Sequence, residues 1–133
     1  MKGQKKFLIA ATFSLLSFGS IAEESYTCEL NSTKTKGWIP STIHIRFNDD
    51  QQVTKIWSPD YSKYDLDTAK VIRYTKNFRE IKYLDTWKSS EGKRFNTIHT
   101  ITILPKLDNK ISYTMQFKAA RNNYVAKGTC KKK

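Results

Sequence analysis

Two histidines are the side chains in this sequence best suited to acid–base chemistry. His44 and His99 stand in separate halves of the 133-residue chain. With a lysine to hold a phosphate, they would supply the general acid and the general base of a small secreted ribonuclease. The chain carries no nucleophile elbow, phosphate-binding loop or dinucleotide fingerprint, and its residues indicate neither a metal site nor a cofactor. We therefore expect a non-catalytic protein and keep a hydrolase built on His44 and His99 as the alternative.

The residues around each histidine predict different environments. Residues 43–47 alternate between apolar and polar side chains, and His44 lies opposite the apolar face, so exposure to solvent is expected. His99 shares one side of its predicted strand with Ile101 and Ile103, which indicates partial burial. Nothing in the sequence shows that the two rings meet in space.

Cys28 and Cys130 are the two cysteines of the chain, and they lie near its first and last predicted strands. In an exported protein they are expected to form a structural disulfide. That bridge would close a loop of about 100 residues, which the chain-entropy model values at up to ~4.7 kcal/mol. A free or redox pair is the competing interpretation, although redox pairs normally have two residues between the cysteines. A zinc site would need further ligands, and the two histidines stand apart.

The first 22 residues have the layout of a secretory signal peptide. Residues 2–6 contain three lysines and no acidic residue, residues 7–18 are uncharged and mostly apolar, and small residues occupy positions 20 and 22. The apolar run is shorter than the roughly 20 residues of a transmembrane helix, so no transmembrane segment is expected. We predict a cleaved signal peptide at 1–22, a single domain at 23–133, and a product in the periplasm or outside the cell.

Alternating apolar and polar residues predict a domain made of β-strands. The predicted strands cover residues 26–30, 43–47, 53–57, 70–76, 81–88, 96–104, 111–118 and 124–130. Turn signals recur about every ten residues, which favours an all-β domain over alternating strands and helices. We expect a small antiparallel barrel of about eight strands, closed by pairing the first strand with the last, because closure removes exposed strand edges. A β-sandwich is the alternative.

Charge is distributed unevenly along the chain, whose formal net charge is +12. Residues 23–69 carry five basic and eight acidic side chains, whereas residues 70–133 carry 16 basic and four acidic ones. Because strand side chains alternate between faces, a spacing of three places successive cations on opposite faces, although they could still surround one end of a barrel. The candidate anion-binding residues are Lys70, Arg73, Lys76, Arg79, Lys82, Lys88, Lys93 and Arg94.

A basic surface of this kind would attract an anionic macromolecule through a long-range, salt-sensitive field. Lipopolysaccharide, nucleic acid, an acidic glycan or another component of the cell envelope are the candidate partners. A surface that serves only solubility is the alternative. Residues 131–133, all lysine, are expected to form a flexible tail.

Four short motifs carry a resemblance to known proteins. They are Tyr26-x-Cys28-Glu29, Gly37-Trp38-Ile39-Pro40, Thr86-Trp87-Lys88 and Gly128-x-Cys130. Over most of the chain this frame resembles small exported proteobacterial proteins that have no assigned activity. Its layout is also similar to that of the periplasmic lysozyme inhibitors of the membrane-bound C-type family, small β-barrels that open with a Tyr-x-Cys strand. The second resemblance implies an inhibitor of a cell-wall hydrolase as a further alternative. The Ser- and Lys-containing loop motif of that family is not recognisable here, so no binding residue is carried over.

Overall fold

The computed structural model of the protein describes residues 23–59, 69–119 and 122–133. Within them, all eight predicted strands are present, each within two residues of its predicted ends. They are β1 (Glu24–Asn31), β2 (Thr42–Phe47), β3 (Val53–Trp57), β4 (Lys70–Tyr74), β5 (Arg79–Lys88), β6 (Arg94–Leu104), β7 (Lys110–Phe117) and β8 (Asn123–Lys132). The predicted signal peptide at 1–22 lies outside the described residues.

The eight strands form one antiparallel sheet that curls into a nearly closed barrel. Their order in the sheet is β3-β2-β1-β8-β7-β6-β5-β4. The first and last strands pair with each other, as predicted, and the barrel rather than the sandwich is the fold. The two edge strands of the sheet are β3 and β4, which follow one another in the chain.

Period-two alternation explains why these segments are strands and which side of each faces inward. In β7, for example, Ile111, Tyr113 and Met115 are buried, whereas the residues between them are partly exposed. β-Branched and aromatic residues suit such a half-buried pleated surface. Tyr26 and Tyr83 are among the largest fully buried side chains. The interior of the barrel is therefore packed with side chains.

Cys28 and Cys130 form the predicted disulfide. They lie directly opposite each other on β1 and β8, and both side chains point into the core. The bridge therefore links the first strand of the domain covalently to the last one.

Aromatic rings pack together at one end of the barrel. Trp38 lies in the β1–β2 connection and makes edge-to-face contacts with Trp87, Phe95 and Phe117 at centroid distances of 5.3, 5.7 and 5.0 Å. Its neighbour Ile39 is buried. The Gly-Trp-Ile-Pro motif therefore has a packing role, since aromatic pairs in this geometry stabilise beyond the area that they bury.

Candidate functional site

An irregularity in β4 places two of the predicted anion-binding residues on one face. Lys70 pairs with Lys82 of β5, and Arg73 pairs with Glu80, with a register shift between Val71 and Arg73. Because the shift adds one residue to β4, Lys70 and Arg73 both point outward although they are three positions apart. The expectation that a spacing of three alternates between faces is wrong for this pair.

Lys70 and Lys82 form a cross-strand pair of like charges. Both side chains are exposed, and no carboxylate among the described residues lies within ion-pair distance of either ammonium. The next residue in the same row is the uncharged Thr100 of β6. Like charges directly opposite each other destabilise a sheet, so this pair concentrates positive charge at some cost to stability.

Three more predicted residues meet at the β5–β6 hairpin. Lys88 pairs with Arg94, and Lys93 lies in the turn between them, where Glu91 offsets one of the three charges. Lys82 and Lys88 are six residues apart on β5, so they point to the same outer face at a separation of about 20 Å. We call Lys70, Lys82, Lys88, Lys93 and Arg94 the β5 face.

The remaining predicted residues are placed differently. The Arg73 Nε lies 2.9 Å from the Glu80 Oε1, so its charge is already compensated on the outer surface. Lys76 is exposed in the β4–β5 turn, away from the hairpin. Arg79 points inward and is 9% exposed, which puts its guanidinium out of reach of a ligand on the outer face.

Arg79 belongs to an ion-pair cluster in which Arg79 and Glu24 are largely buried and Lys132 is half exposed. Its Nε lies 2.8 Å from the Glu24 Oε1, and the Lys132 Nζ lies 2.9 Å from the Glu24 Oε2. Burial alone would raise the pKa of Glu24, but hydrogen bonds from Arg79, Tyr74 and Lys132 outweigh it and lower the pKa to about 2. This charged cluster joins β1, β5 and β8, so its role is structural.

The expected flexible C-terminal tail is not present. Lys131 and Lys132 continue β8, and the Lys133 backbone amide donates a hydrogen bond of 2.8 Å to the Ser25 carbonyl oxygen. The expectation of a tail was wrong because strand pairing with β1 extends to the last residues.

His99 lies in a buried network of polar side chains. Its Nδ1 is 2.8 Å from the Tyr113 hydroxyl, and its Nε2 is 2.8 Å from the Thr97 hydroxyl. The ring stacks on Tyr83 with 5° between the planes, and His99 is 2% exposed. The predicted burial of His99 is confirmed.

The indole of Trp87 orders this network. Its Nε1–H is a donor only, and it donates to the Thr97 hydroxyl over 2.9 Å. If each hydroxyl donates once and accepts once, Thr97 donates to the Nε2 of His99, whose Nδ1–H then donates to Tyr113. In that arrangement the imidazole is neutral. Burial favours the neutral form and lowers the pKa of His99 to about 4.

Acidification is expected to destabilise the protein through His99. The pKa of His99 is 6.5 when unfolded and about 4 when folded, so the unfolded chain binds more protons between these values. This contribution is fully present above about pH 6.5 and should fall by about 3 kcal/mol as the pH approaches 4. Urea denaturation between about pH 7 and pH 4 measures the change.

A glutamine variant separates this effect from general acid sensitivity. His99→Gln should be less stable than wild type at neutral pH, yet its free energy of unfolding should vary by no more than about 1 kcal/mol between about pH 7 and pH 4. A His99→Gln protein with the wild-type slope would contradict the assignment. From about pH 5 downward Glu24 adds a loss in the same direction, because its pKa is lowered from 4.5 to about 2.

His44 lies on the outer side of the barrel wall, half-buried. Its ring stacks on Trp57 of β3 with a centroid distance of 5.1 Å and an interplanar angle of 27°. Its Nδ1 is 3.0 Å from the Thr27 hydroxyl. Since His99 points into the core and His44 lies outside it, the structure does not bring the two histidines together.

The His44–Trp57 stack borders a shallow depression on the outer face of β1, β2 and β3. The depression has a volume of about 240 Å³ and is lined by Arg46, Lys55 and Lys133 as well as by the two rings. The side chain of Trp57 is 44% exposed. We call this site the Trp57 depression. Sequence reasoning missed it because its cations come from distant parts of the chain, two of them from the more acidic half.

The chain matches no protein-family model, no curated protein and no solved structure. Residues 23–59, 69–119 and 122–133 contain no helix long and apolar enough to cross a membrane. In the same ranges no group of three or more histidine, cysteine, aspartate or glutamate side chains could hold a metal ion. Both resemblances therefore stay predictions.

Proposed function

We propose that this is an exported binding protein without catalytic activity of its own, and that its β5 face engages an anionic macromolecule. The observation that carries the proposal is the cross-strand pair of Lys70 and Lys82. Opposed like charges destabilise a strand pair by some tenths of a kcal/mol, and a bound anion would relieve that repulsion. A pair of cations with no acidic neighbour in its row among the described residues is more suited to binding than to stability.

The shape of the β5 face supports an extended partner. The two ends of the face, at Lys82 and Lys88, are separated by about 20 Å along β5, and Leu84 lies between them with 41% of its surface exposed. Positive charge spread over such a distance suits a polyanion with repeating charges better than a single small ion. Its attraction would act over the screening length, which shortens from about 30 Å at 0.01 M salt to about 8 Å at 0.15 M.

Reversing the cross-strand pair tests the proposal. The double variant Lys70→Glu/Lys82→Glu should bind a fluorescently labelled polyanion, such as lipopolysaccharide or an acidic glycan, at least about tenfold more weakly at low salt. The difference should shrink as salt is added, because screening removes the long-range contribution. Fluorescence anisotropy across a salt series measures both effects.

A second double variant controls for net charge. Lys106→Glu/Lys110→Glu changes the charge by the same amount at exposed positions around the β6–β7 connection. It should weaken binding much less than the β5 variant. Equal weakening by both variants would show that only net charge matters, and absence of binding at low salt would refute the proposal.

A further inference from the structure

We infer that the Trp57 depression binds a segment of single-stranded nucleic acid, with one base stacked on Trp57 and the neighbouring phosphates on the surrounding cations. The site lies on β1, β2, β3 and the end of β8, whereas the β5 face lies on β4, β5 and β6. The inference therefore stands on residues that the proposed function does not use.

The exposed indole of Trp57 is a prepared stacking surface. The parallel contact with His44 supports the ring from one side, and the Thr27 hydroxyl lies within hydrogen-bond distance of that imidazole. Because the ring is already oriented, a ligand would lose little additional side-chain entropy on binding. Flat aromatic platforms of this kind accept any base, since every base has a π-face.

The register of the sheet aligns the cations beside this platform. Arg46 pairs with Lys55 on one side and with Ser25 on the other, and the backbone of Lys133 bonds to that of Ser25. A row of three cations therefore crosses the four strands from β8 to β3. At a strand spacing of about 4.8 Å, the row is about 14 Å long, which is long enough to meet more than one phosphate of a chain.

Lys55 also links the charge to the ring. Its Nζ lies over the indole of Trp57, 6.0 Å from the ring centroid. A base that stacks on the indole would displace this ammonium to the side, where it can pair with the phosphate of the same nucleotide. Trp57 and its cations thus combine the two features that sequence-independent single-strand binding requires, a positive track and an exposed aromatic ring.

The chemistry of the lining favours a nucleic acid over an acidic glycan. None of the described lining residues has an acidic side chain or a carboxamide. The hydroxyl groups of a sugar need acceptors as well as donors, whereas phosphate oxygens only accept. The arginine, lysine and hydroxyl groups that line the depression are hydrogen-bond donors, and the phosphate oxygens of a nucleic acid are acceptors for them.

An abasic oligonucleotide provides the decisive comparison. Wild-type protein should bind a labelled oligothymidylate of about ten nucleotides more tightly than the same backbone without bases. Trp57→Ala should weaken binding of the intact oligonucleotide about tenfold and leave binding of the abasic chain unchanged, while Trp57→Phe, which keeps a ring, should lose less. Anisotropy supplies the affinities.

The cations are tested through the salt dependence. Arg46→Gln/Lys55→Gln should weaken both oligonucleotides and reduce the slope of log affinity against log salt by about 1.4, since each single-strand phosphate contact contributes about 0.7. Lys106→Gln/Lys110→Gln is the matched control and should leave the slope nearly unchanged. The variant Lys70→Glu/Lys82→Glu should still bind the intact oligonucleotide more tightly than the abasic chain. Failure of the proposed function, which rests on the β5 face, can therefore be distinguished from failure of the inference about the Trp57 depression.

Three results would overturn the inference. The first is that wild-type protein binds the intact and the abasic chain with equal affinity. The second is that Trp57→Ala does not change the affinity for the intact oligonucleotide. The third is that a sulfated glycan of similar charge binds more tightly than the oligonucleotide and depends on Trp57 to do so. The last outcome would assign the depression to an acidic glycan instead.

Discussion

Replacing Gly128 with alanine is expected to reduce the free energy of unfolding by at least about 3 kcal/mol. A Cβ at this position would lie 1.8 Å from the carbonyl oxygen of Glu29 and 2.8 Å from its carbonyl carbon. Both atoms belong to the backbone of β1, which cannot swing aside as a side chain would. Since Gly128 pairs with Leu30 on one side and Ile111 on the other, relief of the overlap must disturb the β1·β8 ladder.

A glycine in an open turn is the matched control. Gly92 has a φ of +84° and nothing within 4 Å of an added Cβ. Gly92→Asn should therefore cost only a few tenths of a kcal/mol, because asparagine tolerates the left-handed region. Urea denaturation of both variants measures the difference. If the free energy of unfolding of Gly128→Ala lay within about 1 kcal/mol of the wild-type value, β1 and β8 would separate more easily than their packing implies.

The strands were predictable because side chains along each of them alternate between the core and the solvent, and the sequence alternates between apolar and polar residues accordingly. The β6–β7 connection was predicted for a related reason, since Asp108 and Asn109 tolerate positive φ and both adopt +57°. Gly128 carried a weaker signal: a glycine inside a predicted strand marks a close approach of another backbone. The sequence does not say which backbone that is, because the pairing of β1 with β8 has to be known first.

The bulges were not predictable, and they decide the candidate sites. Register shifts between Arg46 and Phe47, so that His44 lies opposite Trp57; uninterrupted pairing from Phe47 and Val53 would have placed Ile56 there. One inserted residue thus creates the aromatic stack of the Trp57 depression. The bulge in β4 likewise brings Lys70 and Arg73 to one face. Sequence periodicity assigns a side chain to a face only while the register is unbroken.

Removing the disulfide is expected to reduce the free energy of unfolding by about 4 kcal/mol. Cys28 and Cys130 are 102 positions apart, so their bond closes a loop that includes almost the whole domain, and opening it enlarges the unfolded ensemble. The β1·β8 pairing is also the ladder that joins strands β1–β3 to β4–β8. A loss of this size is a large share of the free energy of unfolding of a typical folded domain, which is about 5–15 kcal/mol.

The double variant Cys28→Ala/Cys130→Ala and the chemically reduced wild type should give matching results. Both should unfold at a lower urea concentration, and their m-values should rise, because an unfolded chain without the cross-link exposes more surface. Gly92→Asn, which leaves the bridge intact, should keep the wild-type m-value. A shift in midpoint without a rise in m would place the effect in the native packing of the two buried sulfurs rather than in the unfolded chain. An unchanged midpoint would mean that the β1·β8 ladder holds the two parts of the barrel together without the covalent bond.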